Sequence, residues 1–308
     1  MPVTDDEIRR AAQLLRDGRL VAFPTETVYG LGANALDARA VERIYQAKGR
    51  PSTSPLIVHV DGVDMARTLA AEWTAEADAL ARQFWPGPLT LVVRKKTIVP
   101  DIVTAGLQTV GIRIPSHPVA LALIRAAALP IAAPSANLFT RLSPTTAEHV
   151  RKSLGDHVDM VLDGGATSVG IESTVLSLAT QPPTLLRPGM VSHEAIEAVI
   201  GPITAGPTSV EGPHAAPGMH PAHYKPHTRV ILGEPSEGSR SVYLYRNRPS
   251  NTAIENVRMP HDASTYAAHL YSTLHQLDRG GWDVIAVEEL PSEGEWAGII
   301  DRLRRAAR

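Results

Sequence analysis

The sequence predicts an α/β protein of two domains, the second carrying a parallel sheet, and three observations lead there. Short apolar, strand-like runs alternate with segments of helical period through the first 200 residues. Periodicity then disappears between Gly201 and Pro226, a stretch rich in Pro, Gly, His and Ser that reads as a linker. Beyond it, strands and helices alternate again, as in βαβ units. With 308 residues the chain is long enough for two domains of ordinary size. The boundaries drawn are 1–200, a linker over 201–228, and 229–308.

The elements follow in order. Thr4 and Glu7 form a capping box, Ile8, Ala11, Ala12 and Leu15 recur at helical spacing, and Gly18 stops that helix. Leu20 to Phe23 is a short apolar strand ended by Pro24. The hydroxyl-rich stretch 24–32 follows, and its Gly30 and Gly32 read as a tight turn with close backbone packing. Helices are expected over Ala40 to Ala47, Ala75 to Gln83 and Ala120 to Ala128. Strands are expected at Leu56 to Val60, Leu89 to Val93, Val110 to Ile114, Ile131 to Ala133, Val161 to Asp163, Ser173 to Leu178 and Thr184 to Arg187. In the second domain Val230 to Leu232, Val242 to Tyr245 and Val284 to Val287 are strand-like. Tyr266 to Leu277 and Trp296 to Ala307 are helical by period. No internal repeat is present.

Composition excludes several function classes. A formal net charge of −2 argues against a chain built for non-specific nucleic-acid binding, which shows a strong basic excess. Cysteine is absent, so disulfides, thiolate catalysis and Cys-ligated zinc are excluded. Hydrophobic residues at 44% and charged residues at 20% allow a sizeable core. Met1 to Arg10 is polar, and no apolar run is long enough to span a bilayer, so a cytoplasmic location is expected.

Four groups of residues carry possible chemistry. Lys48 and Arg50 stand two apart before a strand, with Pro51 keeping the segment out of helix. Such a pair suits a phosphate or carboxylate, or is merely a solvated surface pair. Ser135 and Asn137 follow an apolar strand, at the sheet end where α/β proteins bind ligands, although Pro-Ser-Ala-Asn is also an ordinary turn. Arg113 lies inside an apolar strand, so it either pairs with a protein carboxylate or awaits a ligand carboxylate. His59 ends another strand. Gly164 to Thr174 lacks the Lys-Ser/Thr ending of a P-loop and reads as a turn before a strand. His214, His220, His223 and His227 crowd the linker, but no helix presents them and no carboxylate accompanies them, so no metal site is expected.

Taken together and in this order, these stretches resemble the two-domain threonylcarbamoyl-AMP synthases, whose first domain is YrdC-like. The resemblance rests on PTETVYGLG (24–32), KGRPSTSPLIVHV (48–60), FWPGPLTLVV (84–93), VGIRIPSHP (110–118), APSANLFTRLSPT (133–145), ESTVLSL (172–178), LLRPGMVS (185–192), PGMHPAHYKP (217–226) and the C-terminal DRLRRA (301–306). It spans nearly the whole chain. Phe139-Thr140-Arg141 departs from the family's usual Ser-Gly, and Gly294-Glu295-Trp296 from its Gly-Leu-Gly-like turn.

The resemblance implies an open, twisted α/β first domain with a concave basic cavity and a smaller Rossmann-like second domain. It also implies a nucleotidyltransferase that forms threonylcarbamoyl-adenylate from L-threonine, ATP and bicarbonate, with Mg²⁺, for threonylcarbamoyl-adenosine in tRNA next to the anticodon. Lys48 and Arg50 would carry catalysis. ATP would be held by these two with Ser54, Thr109, Ser135, Asn137, Ser143, Arg187 and Tyr224. Threonine would meet Thr25, Thr27, Tyr29, His59, Arg113, the Ala133 backbone and Ser173. A downstream threonylcarbamoyl-transferase complex would be a partner, tRNA contact would be weak, and no membrane would be involved. Two rival readings are a non-catalytic nucleic-acid module and an enzyme acting on carbamoyl phosphate.

Overall fold

In the computed structural model, residues 3–206 and 223–308 are described. Most of the expected linker, with His214 and His220, lies outside them.

The first domain is organised on ten strands, β1 (Val21–Pro24), β2 (Tyr29–Asn34), β3 (Ile57–His59), β4 (Leu89–Arg94), β5 (Thr109–Arg113), β6 (Ile131–Ala132), β7 (Met160–Val161), β8 (Thr174–Ser177), β9 (Thr184–Arg187) and β10 (Thr204–Ala205). Their order across one mixed sheet is β10-β9-β8-β4-β5-β3-β6-β2-β1-β7. The helices are α1 (Asp5–Arg16), α2 (Ala38–Lys48), α3 (Val63–Leu69), α4 (Ala75–Phe84), α5 (Asp101–Thr104), α6 (Pro118–Ala127), α7 (Ala147–Leu154) and α8 (His193–Ile200). One core cluster joins α1 and α6 to β1 and β6, while a larger one joins α2, α3 and α4 to the central strands.

Local chemistry explains the elements that position the site. The capping box of α1 is formed in both directions, since Glu7 N donates to Thr4 Oγ1 (3.3 Å) and Thr4 N to Glu7 Oε2 (2.8 Å). Helix α2 stops because Gly49 turns left-handed at φ +59°, which swings Arg50 away from the helix axis. Lys48 is thus the last helical residue rather than part of a loop.

The stretch around Gly30 and Gly32 is strand β2, paired antiparallel with β1, and the expected tight turn is not formed. The two glycines serve close packing instead. A Cβ on Gly32 would lie 2.8 Å from Phe23 Cε1 and 2.9 Å from Ile131 Cγ2, so only glycine lets those side chains close over the strand. The first sheet also continues to Ala205, where β10 pairs in parallel with β9.

The second domain holds β11 (Arg229–Leu232), β12 (Ser241–Tyr245), β13 (Glu255–Arg258), β14 (Val284–Val287), α9 (Ala263–Leu277) and α10 (Ala297–Ala306). Its sheet, ordered β11-β14-β12-β13, is parallel throughout, as expected. The two domains share a core. Val28, Leu142 and Ile171 of the first pack with Tyr266, Tyr271 and Leu303 of the second. Helix α10 meets the first domain backbone to backbone, for a Cβ on Gly298 would fall 2.8 Å from Gly189 Cα. Among the described residues no helix is long and apolar enough to cross a membrane.

Candidate active site

The strands of the first domain converge on a cavity lined by three guanidinium groups, those of Arg50, Arg113 and Arg187. Thr25, Thr27, Ser135 and Ser173 supply hydroxyls around it, and His59, Ala133, His223 and Tyr224 complete much of the wall. The three arginines are at most 7% exposed, so burial lowers each of their pKa values, that of Arg50 to about 10. All three stay charged at neutral pH.

Each guanidinium is aimed by its neighbours. Arg50 Nη2 donates to Ser54 Oγ (2.5 Å) and Pro55 O (3.0 Å), and its guanidinium sits 5.7 Å from the centre of the Phe139 ring. Arg187 Nε donates to Ser173 O (3.0 Å) and Nη2 to Ser173 Oγ (3.2 Å). Arg113 Nη1 donates to Thr27 Oγ1 (3.0 Å), and its Nη2 lies 3.5 Å from Glu26 Oε2. Arg113 therefore does have a protein carboxylate beside it, yet its Nε and Nη2 make no hydrogen bond.

That deficit is general here. Among the described residues, more than half of the buried side-chain polar atoms without a hydrogen-bond partner line this one cavity: His59 Nδ1, Arg113 Nε and Nη2, His223 Nδ1 and the Tyr224 hydroxyl. Buried polar groups are normally satisfied, so a cluster of unsatisfied ones marks a place built for a polar ligand. Burial and adjacent cations hold both imidazoles neutral. Burial and Arg113 depress His59, and burial with Arg50, Lys48 and Arg187 depresses His223.

Several sequence-predicted residues stand behind the cavity rather than in its wall. Lys48 Nζ donates to Ser135 O (2.5 Å) and to Asn137 O, so it ties the Lys-x-Arg segment to the Ser-x-Asn loop. Burial, and then Arg50, push its pKa well below the usual lysine value. Asn137 Nδ2 donates to Leu138 O (3.0 Å) and Arg141 O (2.8 Å), which stiffens the same loop. Ser54 orients Arg50. Ser143 Oγ donates to Glu172 Oε1 (2.5 Å), and Tyr29 Oη donates to Gly165 O (2.7 Å). Thr109 is at the opposite end of β5 from Arg113, paired with Arg94, and does not join the wall.

Sequence reasoning passed over the residues that balance these charges. Glu26 lies within the 24–32 stretch, and its Oε2 accepts from Ser116 N (3.1 Å). Glu172 lines the cavity, and its Oε2 accepts from Arg302 Nε (2.7 Å) and the Tyr271 hydroxyl (3.1 Å), both in the second domain. The available signal was simple: buried arginines require acids somewhere. Of the four linker histidines, His223 faces this cavity while His227 is exposed beside Asp278, with Nδ1···Oδ2 at 3.0 Å. Among the described residues no three His, Cys, Asp or Glu side chains gather as a metal site.

The comparisons with known proteins follow this division. Residues 13–189 match the family model described as "Telomere recombination", the Sua5/YciO/YrdC family, and residues 191–308 match the model for the C-terminal domain of threonylcarbamoyl-AMP synthase. The chain is 43% identical to the threonylcarbamoyl-AMP synthase of Pyrococcus abyssi, over 98% of this chain and 94% of that one. It is also 43% identical to the Bacillus subtilis protein of the same name, over 100% and 94%. The crystal structure of P. abyssi Sua5 complexed with L-threonine superposes with a TM-score of 0.93 at 42% identity, over 100% of this chain and 96% of that one.

Proposed function

The chain belongs to the threonylcarbamoyl-AMP synthase family, and from that premise we propose that it condenses L-threonine, bicarbonate and ATP to threonylcarbamoyl-adenylate and pyrophosphate. This makes it a nucleotidyltransferase acting at the α-phosphate. Its product would serve threonylcarbamoyl-adenosine formation in tRNA, handed to a separate transferase in the cytoplasm, with at most weak tRNA contact.

One observation carries the reading: three buried guanidiniums and a set of unsatisfied donors surround a single small cavity. Arg113, with Nε and Nη2 unsatisfied, suits the threonine carboxylate, which a planar fork can grip. Thr27, His59 and Ser173 lie beside it for the hydroxyl and amine. Arg50 and Arg187 suit the phosphates. The amine takes up carbon dioxide derived from bicarbonate, giving a carbamate. A carbamate oxygen then forms the bond to the α-phosphorus as the bond to the bridging oxygen breaks and pyrophosphate departs. No protein nucleophile is needed, and fixed positive charge stabilises the phosphate oxygens as charge grows on them. Among the described residues no three His, Cys, Asp or Glu side chains gather as a metal cage, so Mg²⁺ would arrive on the ATP phosphates as part of the substrate.

The cavity is small, about 50 Å³, below the usual range for a nucleotide-sized ligand, and the His223–Tyr224 segment roofs part of it. Lifting that segment would admit substrates, and its return would keep water from a labile adenylate.

The test is pyrophosphate release by the purified protein with ATP, Mg²⁺ and bicarbonate, with and without L-threonine, beside Arg50→Ala and Arg113→Ala. The reading expects threonine-dependent release that both substitutions suppress. Release that ignores threonine, or that needs carbamoyl phosphate instead, would reject it.

A further inference from the structure

A second cavity, of about 450 Å³, opens between the domains and shares no lining residue with the first. Its position is set by the two segments that frame the catalytic cavity. Arg141 follows the Ser135–Asn137 loop and Lys225 follows Tyr224, and the two segments are joined by Lys225 N donating to Thr140 O (2.9 Å). Both side chains line the second cavity, and among the described residues neither forms an ion pair.

The facing wall is also cationic. Lys152 of α7 and Arg279, two residues beyond α9, share one carboxylate, Glu148. Asp278 is the carboxylate of the lining, and its oxygens are already taken by His227 N (3.1 Å), His227 Nδ1 (3.0 Å) and Thr228 N (2.7 Å). Between the walls, His149 and His275 stack across the domain junction with centroids 3.9 Å apart and planes at 22°. Four fixed cations thus face two carboxylates, in a chain whose formal net charge is −2. A concave site with an excess of one sign focuses its field on an incoming ion, and the volume lies within the usual range for small-ligand sites.

We propose that this interdomain cavity binds a phosphoanion, held between Arg141 and Lys225 on one side and Lys152 and Arg279 on the other. The charge argument stands apart from the reaction assigned to the first cavity, and only the choice of pyrophosphate and RNA as probes rests on that reading. Because Lys225 adjoins Tyr224 and Arg141 O holds the Asn137 side chain, an occupant would brace the roof and the Ser-x-Asn loop together. The source is either a free ion such as pyrophosphate or the backbone of a bound RNA.

The imidazole resonances of His149 and His275 report on this site directly. They would be followed by NMR in the full-length protein during titration with inorganic pyrophosphate and, separately, with an anticodon stem-loop RNA. Both are repeated with Arg141→Gln/Lys152→Gln and with the gentler Lys152→Gln, each checked for folding by near-UV circular dichroism. At least one probe should shift the two histidines saturably, with affinity about tenfold lower in the double variant and intermediate in the single one. Saturation by pyrophosphate alone identifies a free ion, and saturation by RNA alone identifies the backbone. No shift with either probe, or shifts whose midpoints are unchanged in both folded variants, overturns the proposal.

Discussion

Replacing Arg302 with alanine tests whether the second domain holds the arginine-lined cavity in shape. Arg302 is 1% exposed on α10 and donates from Nε to Glu172 Oε2 (2.7 Å), from Nη2 to Glu172 O (3.1 Å), and from Nη1 to Pro188 O (2.9 Å) and Asp301 Oδ2 (2.8 Å). Its guanidinium also lies 5.3 Å from the centre of the Tyr224 ring. Burial by itself would raise the Glu172 pKa, and Arg302, with Arg187 and Ser143, more than reverses that. Removing one partner of such a buried pair costs about 3–5 kcal/mol, because the other charge is stranded. Urea unfolding reads that cost directly. Adding Glu172→Gln should recover part of it, with a coupling of about 1–3 kcal/mol in the double-mutant cycle. The pH dependence has a definite sign. In Arg302→Ala the folded-state pKa of Glu172 rises above its unfolded value, so the folded state binds the extra proton and stability falls as pH rises through that window. The deficit should therefore shrink on acidification from neutral pH to about pH 5. A loss below about 1 kcal/mol, or single-mutant costs that simply add, would refute the idea that this pair carries the junction.

Further outcomes follow from other parts of the fold. Gly32→Ala should cost about 1–3 kcal/mol in chemical denaturation, because its Cβ would meet Phe23 and Ile131 below 3.0 Å. Lys48→Met removes two charge-assisted bonds to the Ser135–Asn137 loop without changing the cavity wall. In the pyrophosphate-release assay it should raise the KM for ATP about tenfold and alter that for threonine less; equal effects on both would contradict the positioning role. His149 is held down to about 4 by burial and by His275 and Arg279. Between about pH 6.5 and 4 the unfolded chain binds the extra proton, so stability falls on acidification by about 1 kcal/mol once solvent screening is allowed for. Melting curves of His149→Gln should show a flatter decline across that window.

Much of the fold was legible because apolar runs report burial directly. β9 and β14 occupy the stretches expected for them, and the first-domain helices α1, α2, α4 and α6 arise where apolar spacing places them. Helices α3, α5, α7 and α8 were not expected, although Ala147, Val150 and Leu154 of α7 do recur at helical spacing; two of the strands missed, β13 and β2, lack such a signal. β13 reads Glu-Asn-Val-Arg, an edge strand mostly exposed, with no alternation to betray it. β2 was obscured by its glycines, which are usually punctuation; here the need for them comes from Phe23 on the neighbouring strand and from Ile131, about 100 residues away in sequence. No local pattern contains that requirement.

The site divides in the same way. A hydroxyl or a cation at a strand end can be seen in sequence, and Thr27, Arg50, Arg113, Ser135, Ser173 and Arg187 do meet around one cavity. The direction a side chain takes is set by distant partners. Lys48 and Arg50 look equivalent in sequence, but the left-handed Gly49 between them sends them to different tasks. Arg50 reaches the cavity wall, while Lys48, still helical, finds the carbonyls of Ser135 and Asn137. A lysine given two carbonyl acceptors in a buried place acts as a tether, and the positive field that reaches a ligand there comes chiefly from the arginines. The same logic accounts for Glu172. Next to Ser173 it reads as an ordinary loop acid, yet it is the point where Ser143, Tyr271 and Arg302 converge from 29, 99 and 130 residues away. Three donors on one carboxylate leave it little freedom. Because Ser173, the next residue, accepts from Arg187 inside the cavity, whatever loosens α10 at Arg302 is felt at the wall that would face the substrate.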